Sequence, residues 1–351
     1  MTRHDQVFVL YPRGLKTGGP EALHQLVDSL RRQGQEAYLV AHPETRDRVR
    51  VGEYAAYDAP EAEFVDAPGA AVVVPEVWLP SLANVQHATP YCWWLSIDNA
   101  PEFMADWRHR DPWRPISHLP APEVGKAVDF DLFRAVNHLT QSHYAWSYLF
   151  SRVGVTGSML SDHTDAARFA DVPASPESRG RTVAYNPVKS GLITEMVALL
   201  CRDVTFVPLQ DMSAREIAET LGRSAVYLDL GHHPGKDRLP REAALAGATV
   251  LVGRRGSAAY HVDVPLPSEH RLAARVSMVE DAAAAIKDVL DDPARHFAAQ
   301  ESYRDGIRRE REIFDAEVRA VFVEGRLGDD GTAGAEAQTV AAANFASYAA
   351  R

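Results

Sequence analysis

Short apolar runs alternate with amphipathic stretches along this chain, and the alternation stops once and restarts. Val7–Tyr11, Ala37–Val40, Ala70–Val74, Tyr91–Leu95 and His138–Gln141 read as buried strands. Helical periods lie between them: Leu23, Leu26, Val27 and Leu30 after Pro20 and Glu21, then segments around Pro101–Arg108 and Tyr144–Arg152. Pro and an acid suit a first helical turn, and Gly34 suits a helix stop. From Thr182 the alternation resumes, with strands at Thr182–Tyr185, Thr205–Val207, Val226–Leu230 and Thr249–Val252. Helices are expected at Leu192–Leu200 and Arg241–Ala246, with capping boxes at Ser213–Glu216 and Ser277–Glu280 opening two more. Strand and helix in strict alternation predict α/β architecture with a parallel sheet covered on both faces, here twice.

The interruption, 164–181, is rich in Asp, Ala, Pro, Ser, Glu and Arg without a sustained apolar period, and reads as a linker. The expected division is therefore 1–163, the linker 164–181, a second domain 182–294, a closing helical segment 295–323, and a mobile tail 324–351. Tyr303, Ile307, Phe314, Val318, Val321 and Phe322 would share one side of a long helix in the closing segment. At 351 residues, two cores are expected rather than one. The net charge of −11 argues against a broad nucleic-acid footprint, which needs clustered Lys and Arg. Cys92 and Cys201 each lie in an apolar run and read as buried thiols of a reducing compartment. The N-terminus shows no signal-peptide pattern and no window reaches ~20 apolar residues, so a cytoplasmic protein is expected, with peripheral membrane association left open.

The chemistry concentrates in Tyr227–Gly247, which runs from a strand through Gly-His-His-Pro-Gly-Lys-Asp-Arg into a helix. A helix start has unpaired N–H groups and the positive end of the dipole, so it attracts phosphate. Lys236 and Arg238 add charge there, and Glu242, one turn in, suits vicinal hydroxyls such as those of a ribose. Two further strand-end loops, Tyr185–Gly191 with Lys189 and Gly253–Ser257 with Gly256 and Ser257, belong to the same sheet edge. Three cation-bearing loops predict one polyanionic ligand. Gly18 and Gly19 form a comparable loop after the first strand.

These segments resemble the GT-B glycosyltransferases, and within them the retaining Glu-x7-Glu group. Leu239-Pro240-Arg241-Glu242-Ala243 with Gly247 is similar to that group's donor-binding helix start, one residue shorter between Pro and Glu. The resemblance implies two Rossmann-like domains facing a cleft and a nucleoside-diphosphate sugar as donor. By it, Glu242 binds ribose, Lys189 holds the diphosphate, and Gly19 lies beside the transferred sugar. The His-Pro-Gly-Lys-Asp-Arg stretch resembles divergent polysaccharide-biosynthesis members. Pro234 occupies the place of the first glutamate, which leaves the donor sugar and the retaining or inverting outcome open.

On the acceptor side, Asp98 is the candidate base, Asn99 and His24 candidate contacts, and the acceptor a glycan, lipid-linked or small molecule. His232, His233 and Asp162–Asp165 lack the ligand spacing of zinc sites, so no metal ligands and no required cofactor are expected. Trp93, Trp94 and Trp146 read as core or interface aromatics. A nucleotide-sugar 2-epimerase, a non-catalytic nucleotide-sugar binder and sugar transfer to modified DNA bases are the alternatives.

Overall fold

In the computed structural model, which describes residues 4–101, 103, 128–169, 176 and 179–328, every run expected to be a strand lies in one of two parallel sheets. The described residues up to 103, with 128–162 and 312–328, cluster as one unit, and 163–311 as another.

The first unit carries β1 (Gln6–Tyr11), β2 (Glu36–Ala41), β3 (Ala70–Pro75), β4 (Thr89–Trp94), β5 (Asn137–Thr140) and β6 (Ser158–Met159). They pair in parallel in the order β2-β1-β3-β4-β5-β6. The period of two along each strand fills both faces. Val7, Val9 and Tyr11 pack with α1 (Gly18–Arg32), whereas Phe8, Val72, Val74 and Trp94 pack on the other side. Helix α1 begins two residues before Pro20, and Gly34, at φ 74°, lies just beyond its end. Helices α2 (Phe130–Ala135) and α3 (His143–Val153) follow. Ser142 caps α3 and left-handed Gly154 ends it. Trp93 and Trp94 are fully buried, with indole N–H groups donating to Leu160 O at 2.8 Å and His138 Nδ1 at 3.0 Å. The helix expected around Pro101–Arg108 lies largely outside the described residues.

The second unit runs β7 (Gly180–Tyr185), α4 (Pro187–Leu200), β8 (Thr205–Pro208), α5 (Ala214–Arg223), β9 (Ser224–Asp229), α6 (Arg238–Leu245), β10 (Thr249–Gly253) and β11 (Arg271–Leu272). The strands pair in parallel in the order β11-β10-β9-β7-β8. Ala184, Tyr227, Val250 and Val252 face one core, and Val183, Val226, Leu228 and Leu251 the other. The Ser213–Glu216 capping box opens α5 with both reciprocal bonds. The second expected box does not form: Ser277 makes no side-chain cap bond to α7 (Met278–Asp291), and its hydroxyl donates to Asp281 instead.

The single long helix expected near the C-terminus is broken into α8 (Pro293–Ala299), α9 (Glu301–Arg308) and α10 (Glu310–Val318), with a π turn at Arg319–Val323. The first break has a tertiary cause. Gln300 turns its amide onto β10, accepting from Val250 N at 3.0 Å and donating to Val250 O at 2.8 Å. Tyr303 and Ile307 then fill a core of the second unit, while Phe314, Val318, Val321 and Phe322 fill a core of the first. Both cysteines are free and buried, and no described helix is long and apolar enough to cross a membrane.

Candidate functional site

Strand order reverses in the second sheet between β7 and β9, and open parallel sheets bind ligands at the carboxyl ends of strands flanking such a reversal. The loop after β7 carries Lys189. The Asn186 side chain accepts from Val188 N, Pro187 supplies the first helical position, and a kink at Ser190 distorts the first turn of α4 around the lysine. The loop after β9 presses directly onto it. A Cβ on Gly231 would stand 2.7 Å from Lys189 Cβ and 2.9 Å from Lys189 O, so only glycine fits there.

From Gly231 the chain reaches Asp237, the N-cap of α6. Asp and Asn are favoured caps because their oxygens satisfy first-turn N–H groups. Here Asp237 makes no such bond. Its carboxylate is paired with Lys189 Nζ and lies 2.8 Å from His233 Nδ1. The α6 start thus keeps its anion-attracting end without a side-chain cap.

Around it three ionisable groups gather, Asp229 and His233 buried and Asp237 partly so. His233 is fully buried, with Nε2 3.5 Å from Asp229 Oδ1 at the end of β9. Although both ring nitrogens lie at ion-pair range, neither is aligned for a hydrogen bond. Burial pushes the imidazole down, but Asp229 and Asp237 outweigh it and lift His233 to about 9. Burial likewise opposes ionisation of Asp237, but Lys189 and His233 hold it well below the usual carboxylate range.

The Gly253–Ser257 loop, expected to contact ligand, also fixes this one. Gly256, at φ 59°, bridges His233, and its missing side chain leaves room for His233 O. Ser257 N donates to His233 O at 2.9 Å, and Ser257 Oγ to Gly235 O at 2.6 Å. The serine is fully buried, so its hydroxyl latches the loop.

Lys236, Arg238 and Glu242 lie around the start of α6, each partly buried. Lys236 Nζ is 3.2 Å from Glu310 Oε1. The other Glu310 oxygen accepts from Arg241 Nη1 at 2.8 Å and from Thr164 N at 2.9 Å. Arg241, which is buried, returns two bonds to the loop, to Asp237 O and Lys236 O. Lys189 and Lys236 are each balanced by an acid that a bound polyanion would have to replace.

The expectation of a site without metal ligands or a metal requirement is overturned here. Asp229, His233 and Asp237 offer ligand atoms within 4.8 Å of one another, two carboxylates and an imidazole that together suit a divalent first-row cation. His233 would serve through one ring nitrogen, giving up the proton that its two carboxylate neighbours now favour. A second such group joins Glu269 and His270, just before β11, to His296 on α8. No spacing rule flags Asp229, His233 and Asp237, because they come from a strand end, a loop and a helix cap.

At the corresponding edge of the first sheet, Gly19 lies in the first turn of α1. His24 is fully buried; Nδ1 donates to Pro20 O at 2.7 Å and Nε2 accepts from Arg50 at 3.2 Å. Burial pushes its imidazole down to about 4, so it is neutral at pH 7. Asn99 is exposed, whereas Asp98 is fully buried and accepts from the Tyr144 hydroxyl at 2.9 and 3.1 Å. Both His24 nitrogens are thus engaged within the protein, and Asp98 shows no exposed face to an acceptor. Sequence reasoning missed Glu76, fully enclosed at the end of β3, which accepts from Leu95 N at 3.0 Å.

No known sequence family and no curated protein matches this chain. Solved structures do. Sucrose-phosphate synthase from Thermosynechococcus elongatus superposes with TM-score 0.63 at 13% identity, covering 91% of this chain and 98% of that one. A glycosyltransferase from Rickettsia africae gives 0.57 at 10% identity, over 92% and 98%. The chain has the GT-B fold. An alpha-glucosyltransferase solved with UDP and DNA shares it at TM-score 0.56 and 9% identity, over 89% and 99%. At such identities the GT-B fold is what is shared, and the chemistry of this chain has to be argued from its own residues.

Proposed function

We propose that this chain is a glycosyltransferase that moves a sugar from a nucleoside-diphosphate sugar to a carbohydrate, lipid-linked or small-molecule acceptor. The observation that carries the reading is the α6 start, left without a side-chain cap beside Lys189 at the strand reversal of the second sheet. Residues 182–294 are the donor-binding part in this reading and 1–163 the acceptor part. Glu242 takes the ribose, as in the retaining group. Pro234 replaces that group's first glutamate, so the sugar is read by other residues. Gly19 borders the transferred sugar. A cytoplasmic setting fits the two buried free thiols.

In the transfer, an acceptor hydroxyl oxygen forms a bond to the anomeric carbon as that carbon's bond to the diphosphate breaks. The electron pair leaves with the diphosphate, where Lys189, Lys236 and Arg238 stabilise the growing charge. The hydroxyl proton passes to a base or to a donor phosphate oxygen. Because Asp98 is buried against Tyr144, we assign it a positioning role, holding the tyrosine hydroxyl at the edge where Asn99 is exposed.

Thermal shift against nucleoside diphosphates and their sugar conjugates tests the donor site. A ligand at about 100 times its Kd stabilises by roughly 2.7 kcal/mol, and Glu242→Ala is expected to abolish that shift for one preferred nucleotide. No shift with any nucleotide would defeat the proposal. Consumption of donor with no acceptor present would redirect it to an isomerase.

A further inference from the structure

We infer that Asp229, His233 and Asp237 bind one divalent first-row cation, and that its binding releases Lys189 from Asp237 toward the donor diphosphate. The first half stands on the side chains alone; the second rests on the donor reading above.

The donor set is built rather than incidental. Asp229 is fixed by Tyr227 Oη at 3.2 Å and Gly231 N at 3.0 Å, bonds that leave lone pairs on its carboxylate. His233 is held through its backbone by Arg255 O and Ser257 N, so its ring position is set by the loop. Both nitrogens of that ring are buried and face carboxylates at ion-pair range without an aligned hydrogen bond. A divalent cation between the three residues would take the place of the extra imidazole proton, binding one ring nitrogen as that proton leaves to solvent. Two hard oxygens with one imidazole favour ions such as Mn2+ or Zn2+ over Ca2+, which prefers oxygen alone.

Lys189 is the competitor. Its ammonium is paired with Asp237 Oδ2, one of the three ligand groups. A divalent ion on that oxygen repels the ammonium and takes its counter-charge. The lysine head, which is partly exposed, is then able to pair with a donor diphosphate bound at the start of α6. Cation and donor would thereby favour each other without the cation itself touching the sugar.

The test is a titration of EDTA-stripped protein with Mn2+, read by loss of the free-ion EPR signal. Wild type is expected to show one saturable site per chain. Removing the competing ammonium in Lys189→Met should tighten it, by about tenfold on the usual scale of coupling between sites. Absence of saturable binding in both proteins overturns the inference, as does equal affinity in the two. So does a site retained in Asp229→Asn but lost in His296→Gln. If Asp229→Asn fails to fold, the wild-type and Lys189→Met titrations decide alone. For the second half, UDP affinity is measured calorimetrically with and without Mn2+. A gain in wild type that is missing from Lys189→Met and Asp229→Asn supports the exchange, the latter variant correcting for Mn2+ bound by UDP in solution. An equal gain in all three rejects it. UDP that binds under no condition defeats the donor reading, and with it the second half, and leaves the EPR result standing.

Discussion

Gly231 and Lys189 touch so closely that the glycine's missing side chain is what lets the lysine sit at the strand reversal: an added Cβ would lie 2.7 Å from the lysine Cβ and 2.9 Å from its carbonyl oxygen. Such overpacking against backbone costs on the order of 1–3 kcal/mol, and the first turn of α4 has to move to relieve it. Gly231→Ala is therefore expected to weaken nucleoside-diphosphate binding by tenfold or more, on the order of 1.4 kcal/mol. Calorimetric titration of the variant with UDP checks this, and an unchanged Kd would show that Lys189 does not grip the diphosphate.

Arg241 and Glu310 form a buried pair at 2.8 Å, with Lys236 sharing the glutamate. Truncating one partner of a buried pair leaves the other uncompensated, at about 3–5 kcal/mol. Arg241→Met should lower stability by about 3 kcal/mol in urea denaturation, less if Lys236 closes on Glu310. A loss under about 1 kcal/mol would mean that the arginine contributes little to holding the loop.

Glu76 gives a pH signature. Burial pushes its carboxyl from 4.5 up to about 7, against three backbone N–H donors that favour the ionised form. Between those two values the unfolded chain releases the proton and the folded chain keeps it. The contribution to stability is thus full below about pH 4.5 and is lost as pH rises through about 7, some 3 kcal/mol in all. Glu76→Gln retains an acceptor for Leu95 N and removes this slope. His24 runs the other way, stabilising as pH rises from about 4 to 6.5, so the difference between wild type and variant is read at each pH. A difference that stays constant from pH 4.5 to 7.5 would show that the carboxyl is not raised.

Asp315 anchors α10 to α1. It accepts from Ser29 Oγ at 2.6 Å and from both Arg32 Nη atoms at 2.8 and 2.9 Å. Charge-assisted bonds of this kind exceed an exposed ion pair, so Asp315→Ala should cost about 2 kcal/mol in urea denaturation. A loss within 0.5 kcal/mol, the usual range for an ordinary surface change, would show that Phe314, Val318 and Phe322 hold the segment by packing alone.

The sequence was most legible where a residue's own neighbours decide its structure. The short apolar runs between turn signals read as strands, because they are too short for helices and suit strands buried on both faces. Strands β6 and β11, two residues each and mixed in character, carried no such signal. Lys189, Lys236, Arg238 and Glu242 could be picked out because a strand, a basic loop and a helix start follow one another along the chain. The helical period from Tyr303 to Phe322 was also visible, but not its breaks. These depend on Gln300 meeting a β10 backbone 50 residues away, and on which core each apolar side chain enters.

Tertiary structure alone decided how the charges are shared. Lys189 and Asp237 are 48 residues apart and Arg241 and Glu310 are 69 apart, and nothing local in either sequence context announces a partner. Asp98 looked like a base at a strand end until burial against Tyr144 removed its exposed face. The Asp229–His233–Asp237 group escaped the spacing rules for a different reason, since its residues are close in sequence. Helical and zinc-finger spacings encode ligands that one local element brings together, whereas these three converge only because Gly231 and Gly256 let two loops close on the ends of adjacent strands. Periodicity determines which segments must be buried; the fields and contacts at a site depend on distances between segments, which only the packed chain fixes.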